Sequence, residues 1–331
     1  MCDHGQFAGS RVLVTGGAGA IGGRLVRRLQ GLACAEIVIL DDFSSAARWN
    51  LAAGPNVRLV EGDLVDPAVL AAAFAAPPDY VFHLAAHFAN QNSVDHPERN
   101  LEVNGLGTLR VLEKCREAPP KRVVIASSGC GAYGPDTPVP FREESASVRM
   151  FTPYQITKLL GEMYGTYFHD NFGLPVAVAR LFNVYGPGEV PGRYRNVIPN
   201  FLYMARHGRA LPITGSGEET RDWTYVEDAI DAFLTMCVRS GAVGESINIA
   251  SGREVTVAHM AEVVNEVTGN GSGIVFGPRR GWDCKARLLA SIDKAEEILD
   301  YRPATRFRDG IVATNEWFSE HWEQILQSAS F

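Results

Sequence analysis

The stretch Arg11-Val-Leu-Val-Thr15-Gly16-Gly17-Ala18-Gly19-Ala20-Ile21-Gly22 decides the fold. Its first five residues are a short apolar run, as expected of a buried strand. Gly16, Gly19 and Gly22 follow at intervals of three, and a helical pattern then runs from near Ile21 to Leu32. A chain turning this tightly from strand to helix needs residues without a Cβ. The same turn gathers backbone N–H groups and the positive end of the helix at one point, which suits a pyrophosphate.

Downstream, Glu36–Leu40 reads as a second strand ending in Asp41-Asp42, nineteen residues beyond Gly22. A carboxylate at the end of that strand accepts hydrogen bonds from ribose hydroxyls, and the combination predicts a dinucleotide site. A 2′-phosphate would meet Asp41 and Asp42 with Arg48 seven residues away, so NAD is expected rather than NADP. Asp63-Leu64, after a third strand at Val57–Glu61, puts another carboxylate where an adenine amino group would sit.

Further short apolar runs, Tyr80–Leu84, Arg122–Ala126 and Val176–Arg180, alternate with helical stretches that include the alanine-rich Ala68–Ala76. The alternation predicts an α/β fold, a Rossmann-type doubly wound parallel sheet with a smaller C-terminal substrate-binding lobe. Residues 1–10 read as a tail, 11–183 mainly as the dinucleotide-binding domain and 184–331 mainly as the lobe, with some later segments returning to the sheet. The boundary is marked by Pro187, Gly188, Pro191, Gly192 and Pro199 crowding one stretch.

The composition is that of a globular chain: 331 residues, 46% hydrophobic and 21% charged. A net charge of −7 gives no electrostatic attraction to nucleic acid or to an anionic membrane. No apolar stretch reaches eighteen residues, and the first ten residues resemble no signal peptide. Six scattered cysteines without metal spacing predict reduced thiols in a cytoplasmic protein that binds no metal.

Pro153-Tyr154-Gln-Ile-Thr-Lys158 places Tyr154 and Lys158 four residues apart at the start of an amphipathic helix, hence on one face. A phenol with an ordinary pKa of about 10 is a poor base at neutral pH. Bringing it to about 7 takes roughly 4 kcal/mol of phenolate stabilisation, which an ammonium and a nicotinamide cation together would supply. Tyr154 and Lys158 are therefore read as catalytic.

From Arg11 to Phe318 the chain resembles the extended short-chain dehydrogenase/reductases, in particular the NAD-dependent nucleotide-sugar epimerase/dehydratase group. The resemblance is carried by Thr15–Gly22, Gly62-Asp-Leu64, His83-Leu-Ala-Ala86, Asn104-x-x-Gly107-Thr108, Ser127-Ser128 with Tyr133-Gly134, Tyr154-x-x-x-Lys158, Arg180-x-Phe-Asn183-Val-Tyr-Gly-Pro187 and Gly217-x-x-x-Arg221-Asp-x-x-Tyr225-Val-x-Asp228. It implies that Gly16, Gly19, Ala20, Ile21 and Gly22 cradle the pyrophosphate of NAD and that Asp41 and Asp42 face its ribose. Asp63 and Leu64 would face adenine. Leu84, Ala85, Ala86 and Asn104 would line the cofactor cleft, and Lys158 would also bind the nicotinamide ribose. Asn183, Arg221 and Arg280 would hold the diphosphate of a nucleotide sugar, with Val197 beside the nucleobase. Guanidinium forks suit a diphosphate on general grounds. Arg195, with Arg193, is placed to pair with a uronate carboxylate or to remain a loop charge.

One tract departs from the family pattern. A Ser or Thr usually stands about 25 residues before the tyrosine; here that position is Gly129, and Ser128 is the candidate for the missing hydroxyl, with Cys130 a weaker one. The group's 4,6-dehydratases carry Asp-Glu just before the Tyr-Gly pair, and its glucuronate decarboxylases a Glu; these slots hold Cys130 and Gly131. The missing acids favour 4-epimerisation of a UDP-hexose or UDP-uronic acid through a 4-keto sugar. Dehydration or decarboxylation with acids from elsewhere is the second reading, and a non-catalytic NAD-binding regulator the third. Apolar stripes at Leu101, Leu109 and Leu112 and at Leu159, Met163 and Tyr167 lie on helices read near Glu98–Glu117 and Tyr154–Asn171. By the resemblance these helices form a homodimer interface.

Overall fold

A computed structural model describes residues 4–283 and 285–331. Its strands are β1 (Arg11–Thr15), β2 (Glu36–Asp41), β3 (Val57–Glu61), β4 (Tyr80–His83), β5 (Arg122–Ser128), β6 (Val176–Leu181), β7 (Leu211–Thr214), β8 (Thr220–Asp222), β9 (Ser246–Ile249), β10 (Glu254–Thr256) and β11 (Ile274–Gly277). Helices of the first half are α1 (Ala20–Gln30), α2 (Pro67–Ala73), α3 (Asn90–Asp95), α4 (Pro97–Asn100), α5 (Gly107–Glu117), α6 (Gly129–Ala132) and α7 (Pro153–Phe172). Those of the second half are α8 (Val197–Arg206), α9 (Val226–Val238), α10 (Val257–Thr268), α11 (Asp293–Leu299), α12 (Phe307–Glu320) and α13 (Trp322–Ser328).

Seven strands form one parallel sheet in the order β3-β2-β1-β4-β5-β6-β9. The order reverses beside β1, the switch point at which ligands bind outside the carboxyl ends of such strands. Successive residues alternate between two apolar layers, as the period of a strand requires. Val12, Val14, Ile37 and Ile39 join α1, α9 and α11 on one face. Leu13, Val38 and Leu40 join α2, α5 and α7 on the other. A third cluster, with Phe201, Leu202, Ile213, Met260, Val264, Ile311 and Phe318, is the core of the second lobe.

One feature fills in the sequence-based expectation and two differ from it. The later segment that returns to the sheet is a seventh strand, β9, and α9 and α11 from the second half of the chain pack on the sheet with it. Four residues, Ser246-Ile-Asn-Ile249, are too few to stand out by periodicity, and their burial comes from pairing with β6. The stretch read as one helix at 98–117 is α4, a π-helical turn at Leu101–Leu106 and α5. The alanine-rich helix ends at Ala73, short of the expected Ala76, a residue that Pro77 disfavours from the helical region.

Candidate active site

A cleft of about 750 Å³ runs along the carboxyl ends of the strands, between the sheet and the second lobe. At one end lies the glycine turn. A Cβ on Gly22 would stand 2.1 Å from the Gly16 carbonyl oxygen, and one on Gly16 would stand 2.7 Å from the Ala85 backbone nitrogen. Gly16 also has φ +69°, a left-handed conformation that glycine adopts without strain. These positions bring the Leu84–Ala86 backbone and the start of α1 together around one small space, and Gly16, Gly19, Ala20, Ile21, Gly22, Leu84, Ala85 and Ala86 all line it. A pyrophosphate fits the donors there.

Asp41 closes the turn. One of its carboxylate oxygens accepts from the Ala18 amide at 2.9 Å and the other from the Phe43 amide at 2.9 Å. Burial raises its pKa above the usual carboxylate range, and the two amides oppose that rise. Each oxygen keeps a lone pair for a ribose hydroxyl. Asp42, Asp63 and Leu64 line the same end of the cleft. Arg99 joins them from α4, donating to Asp63 at 2.5 Å, a contact no sequence spacing announces. Asn104, next to Val103 of the cleft lining, is 2% exposed, with its amide accepting from the His87 N–H and donating to Thr157 and the His87 carbonyl, so it positions the loop after β4.

Tyr154 and Lys158 sit at the first turn of α7, which starts where it does because Thr152 caps it and Pro153 occupies the first helical position. Lys158 Nζ donates to the Ala126 carbonyl at 2.8 Å and lies 5.9 Å from the centre of the Tyr154 ring. Burial lowers the Lys158 pKa to about 8, against the opposing pull of Glu162. Burial, with the Cys130 sulfur adding to it, pushes the Tyr154 phenol above its ordinary value. Burial thus disfavours the phenolate, and positive charge at this end of the cleft, Lys158 included, opposes that.

At the end of β5 the hydroxyl question resolves into geometry. A Cβ at residue 129 would stand 1.9 Å from the Phe182 ring, so no side chain enters there. Ser127 donates to Glu162 inside the protein. Ser128 accepts from the Gly131 amide at 3.2 Å and lines the cleft, and its own proton remains available to a ligand. Cys130 also lines the cleft, 3.6 Å from Asn183 Oδ1. Glu143 and Glu144 do not line it; Glu143 accepts from the Asn248 amide instead.

Toward the second lobe, Asn183, Val197, Arg195, Arg221 and Arg280 all line the cleft. Asn183 donates to the Asp222 carbonyl at 2.9 Å, and one terminal nitrogen of Arg221 donates to both oxygens of Asp283 at 2.9 and 3.0 Å while the other faces the Thr220 carbonyl. Arg280 lies over the Trp282 ring. Arg195 donates to the Ser45 carbonyl and stands near buried Glu189. Its guanidinium is thereby held at the loop after β2. Sequence reasoning missed Lys285, a buried lysine lining the cleft whose Nζ donates to the carbonyls of Cys130 and Tyr133. It also missed two contacts that join the lobes at the cleft mouth, Trp282 to Gln91 at 2.9 Å and Tyr194 to Asp95 at 2.8 Å.

A doubly wound parallel sheet, a glycine turn at its switch point and a Tyr-Lys pair on a helix facing the cleft define an extended short-chain dehydrogenase/reductase. Residues 12–250 match the NAD dependent epimerase/dehydratase family, and the chain belongs to that family. Its fold superposes on an epimerase, Mth375, of Methanothermobacter thermautotrophicus with a TM-score of 0.98 and 53% identity, over 99% of this chain and 97% of that one. It is 33% identical to a UDP-glucose 4-epimerase of Mycolicibacterium smegmatis over 93% of this chain and 98% of the relative. The Bordetella bronchiseptica enzyme WbmF, solved with NAD+, is 34% identical with a TM-score of 0.83, covering 97% and 96% of the two chains. Other reactions occur at similar distance: a UDP-N-acetyl-alpha-D-glucosaminuronate decarboxylase of Bacillus cytotoxicus is 29% identical, and a dTDP-glucose 4,6-dehydratase of Streptomyces niveus 30%. The cofactor is NAD, and the glycine cradle and Asp41 fit it.

Proposed function

We propose that this chain is an NAD-dependent 4-epimerase of a UDP-hexose or a UDP-uronic acid, working through a transient 4-keto sugar. The observation that carries the reading is the turn after β5. It offers Ser128 and Cys130 to the cleft and no carboxylate, so the acid/base pair that elimination or decarboxylation needs is missing beside Tyr154.

Bound NAD supplies a hydride acceptor and returns the hydride. Tyr154 takes the proton of the C4 hydroxyl as the 4-keto sugar forms and gives it back as the new alcohol forms. Lys158 holds positive charge beside the phenol and orients the nicotinamide ribose. Ser128 donates a hydrogen bond to the reacting oxygen. Arg221, Arg280 and Asn183 hold the diphosphate, with Val197 at the base. Binding energy spent at that end leaves the sugar free to present its other face. Arg221 exchanges Asp283 for phosphate when substrate enters, one anion for another on the same guanidinium nitrogen.

The enzyme works in the cytoplasm as a homodimer. Among the described residues no helix is long and apolar enough to cross a membrane. The described cysteines Cys34, Cys115, Cys130 and Cys237 are unpaired. Leu101, Leu106, Ile156, Met163 and Tyr167 are exposed on the adjoining 101–106 turn and α7, an apolar face of the kind a partner subunit covers. Leu112, from the same predicted stripe, is instead buried against its own sheet.

Incubation of purified protein with several UDP-hexoses and UDP-glucuronate, followed by NMR of the products, tests the reaction. The expected product is the 4-epimer of one of them, with Tyr154→Phe at least 100-fold slower while still carrying NAD. Loss of water or release of CO2 in place of a 4-epimer overturns it.

A further inference from the structure

The adenosine end of the cleft is bordered by three carboxylates, Asp41, Asp42 and Asp63, and by the guanidinium of Arg99. The aspartates stand at the carboxyl ends of neighbouring strands, β2 and β3, whose residues Asp41 and Glu61 are in register. Arg99 arrives from α4. One of its terminal nitrogens lies 2.5 Å from Asp63 Oδ2 and 3.8 Å from Asp42 Oδ2, and the other lies 3.3 Å from Glu102 Oε2. Both terminal nitrogens of the guanidinium are turned to carboxylates, although it stands in the cleft with the planar fork that binds phosphate best.

We propose that Arg99 is a latent reader of a 2′-phosphate, silenced by Asp42 and Asp63, and that this capture, together with Asp41, makes the cleft select NAD over NADP. The proposal rests on the adenosine ribose lying at Asp41. Three carboxylates against one guanidinium leave the pocket net negative, and a 2′-phosphate brings about −1.5 to −2 more. Converting Asp42 and Asp63 to amides removes two of those charges and frees the fork, with only Glu102 left beside it. The same change preserves the local turns. Asp42 Oδ1 accepts from the Ser44 amide and Asp63 Oδ1 from the Val65 amide, and an asparagine oxygen does both.

The test equilibrates the holoenzyme with equal excess of NADH and NADPH and reads the bound-dinucleotide ratio by native mass spectrometry. Wild type is expected to retain NADH. In D42N/D63N the NADPH:NADH ratio rises at least tenfold, and adding R99Q returns it to within threefold of wild type. A rise that survives R99Q means relieved repulsion alone and overturns the proposal, as does an unchanged ratio in a D42N/D63N protein that still binds NADH. If D42N/D63N does not fold, D42N with and without R99Q decides by the same criterion, with at least a threefold rise expected. A wild type that retains neither dinucleotide refutes instead the underlying placement of the cofactor in this cleft.

Discussion

Gly129 shows how one residue can be dictated from outside its own segment. The Phe182 ring, fully buried at the end of β6, occupies the volume of a Cβ at 129, with ring carbons at 1.9, 2.3 and 2.4 Å. The ring also stacks on Tyr133, so it has little room to move. Gly129→Ala is therefore expected to destabilise the protein by about 2–3 kcal/mol in urea denaturation, the upper range for overpacking a tight core. G129A/F182L should recover more than half of that loss, since leucine vacates the ring's outer edge. If the single variant is as stable as wild type, the steric account of the missing hydroxyl fails. At this scale the sequence exposed the departure, because a glycine stood where the family pattern has a hydroxyl. Its cause lay 53 residues away in Phe182 and was illegible without the fold.

At the scale of elements, β4 links the sheet to the cleft through its last residue. His83 is buried between Thr15 at the end of β1, 2.7 Å away, and Thr108 in α5, 2.9 Å away. Burial, with Lys158 adding to it, lowers its pKa to about 3, so the ring is neutral in the fold. The unfolded chain takes up a proton at His83 below about pH 6.5, whereas the folded chain does so only near pH 3. Stability contributed by this histidine is thus complete above pH 6.5 and is lost as pH falls toward 3. Urea unfolding of wild type and H83Q at pH 7 and pH 5 checks this. Wild type should lose about 2 kcal/mol more than H83Q over the interval, from about 1.4 kcal/mol per unit between 6.5 and 5. Equal losses would mean that His83 is charged or solvated in the fold. Sequence reading placed the strand and assigned Leu84, Ala85 and Ala86 to the cofactor cleft, and it gave His83 no role. Only the cross-element hydrogen bonds separate the structural histidine from the three residues that line the cleft.

At the scale of the whole molecule, two lobes border one cleft. The Trp282–Gln91 and Tyr194–Asp95 bonds both end on α3, and Gln91 itself donates to Asp95 at 2.9 Å. One short helix therefore anchors both loops that border the mouth of the cleft. The exposed face of α7 lies away from that mouth, since Ile156, Met163 and Tyr167 are absent from the cleft lining. Met163, 61% exposed, sits between the other two on this face. Met163→Glu is expected to convert a dimer to a monomer by light scattering after gel filtration, because a charge buried without a partner in an apolar interface is costly. A wild type that elutes as a monomer at micromolar concentration sinks the dimer proposal outright.

What the sequence determined by itself is local chemistry with short-range physics behind it. The glycine turn, the acidic end of β2 and the Tyr154-Lys158 spacing are set by the geometry of one turn or one helix, so they could be read directly. What only the tertiary structure decided is which distant groups meet. Arg99 reaches Asp63, Arg195 is drawn to Ser45, Asn104 bonds Thr157, Lys285 enters the cleft and β9 rejoins the sheet. The reason is physical: these placements are fixed by packing and by the need to pair buried charges and amides across long loops, and spacing along the chain encodes neither.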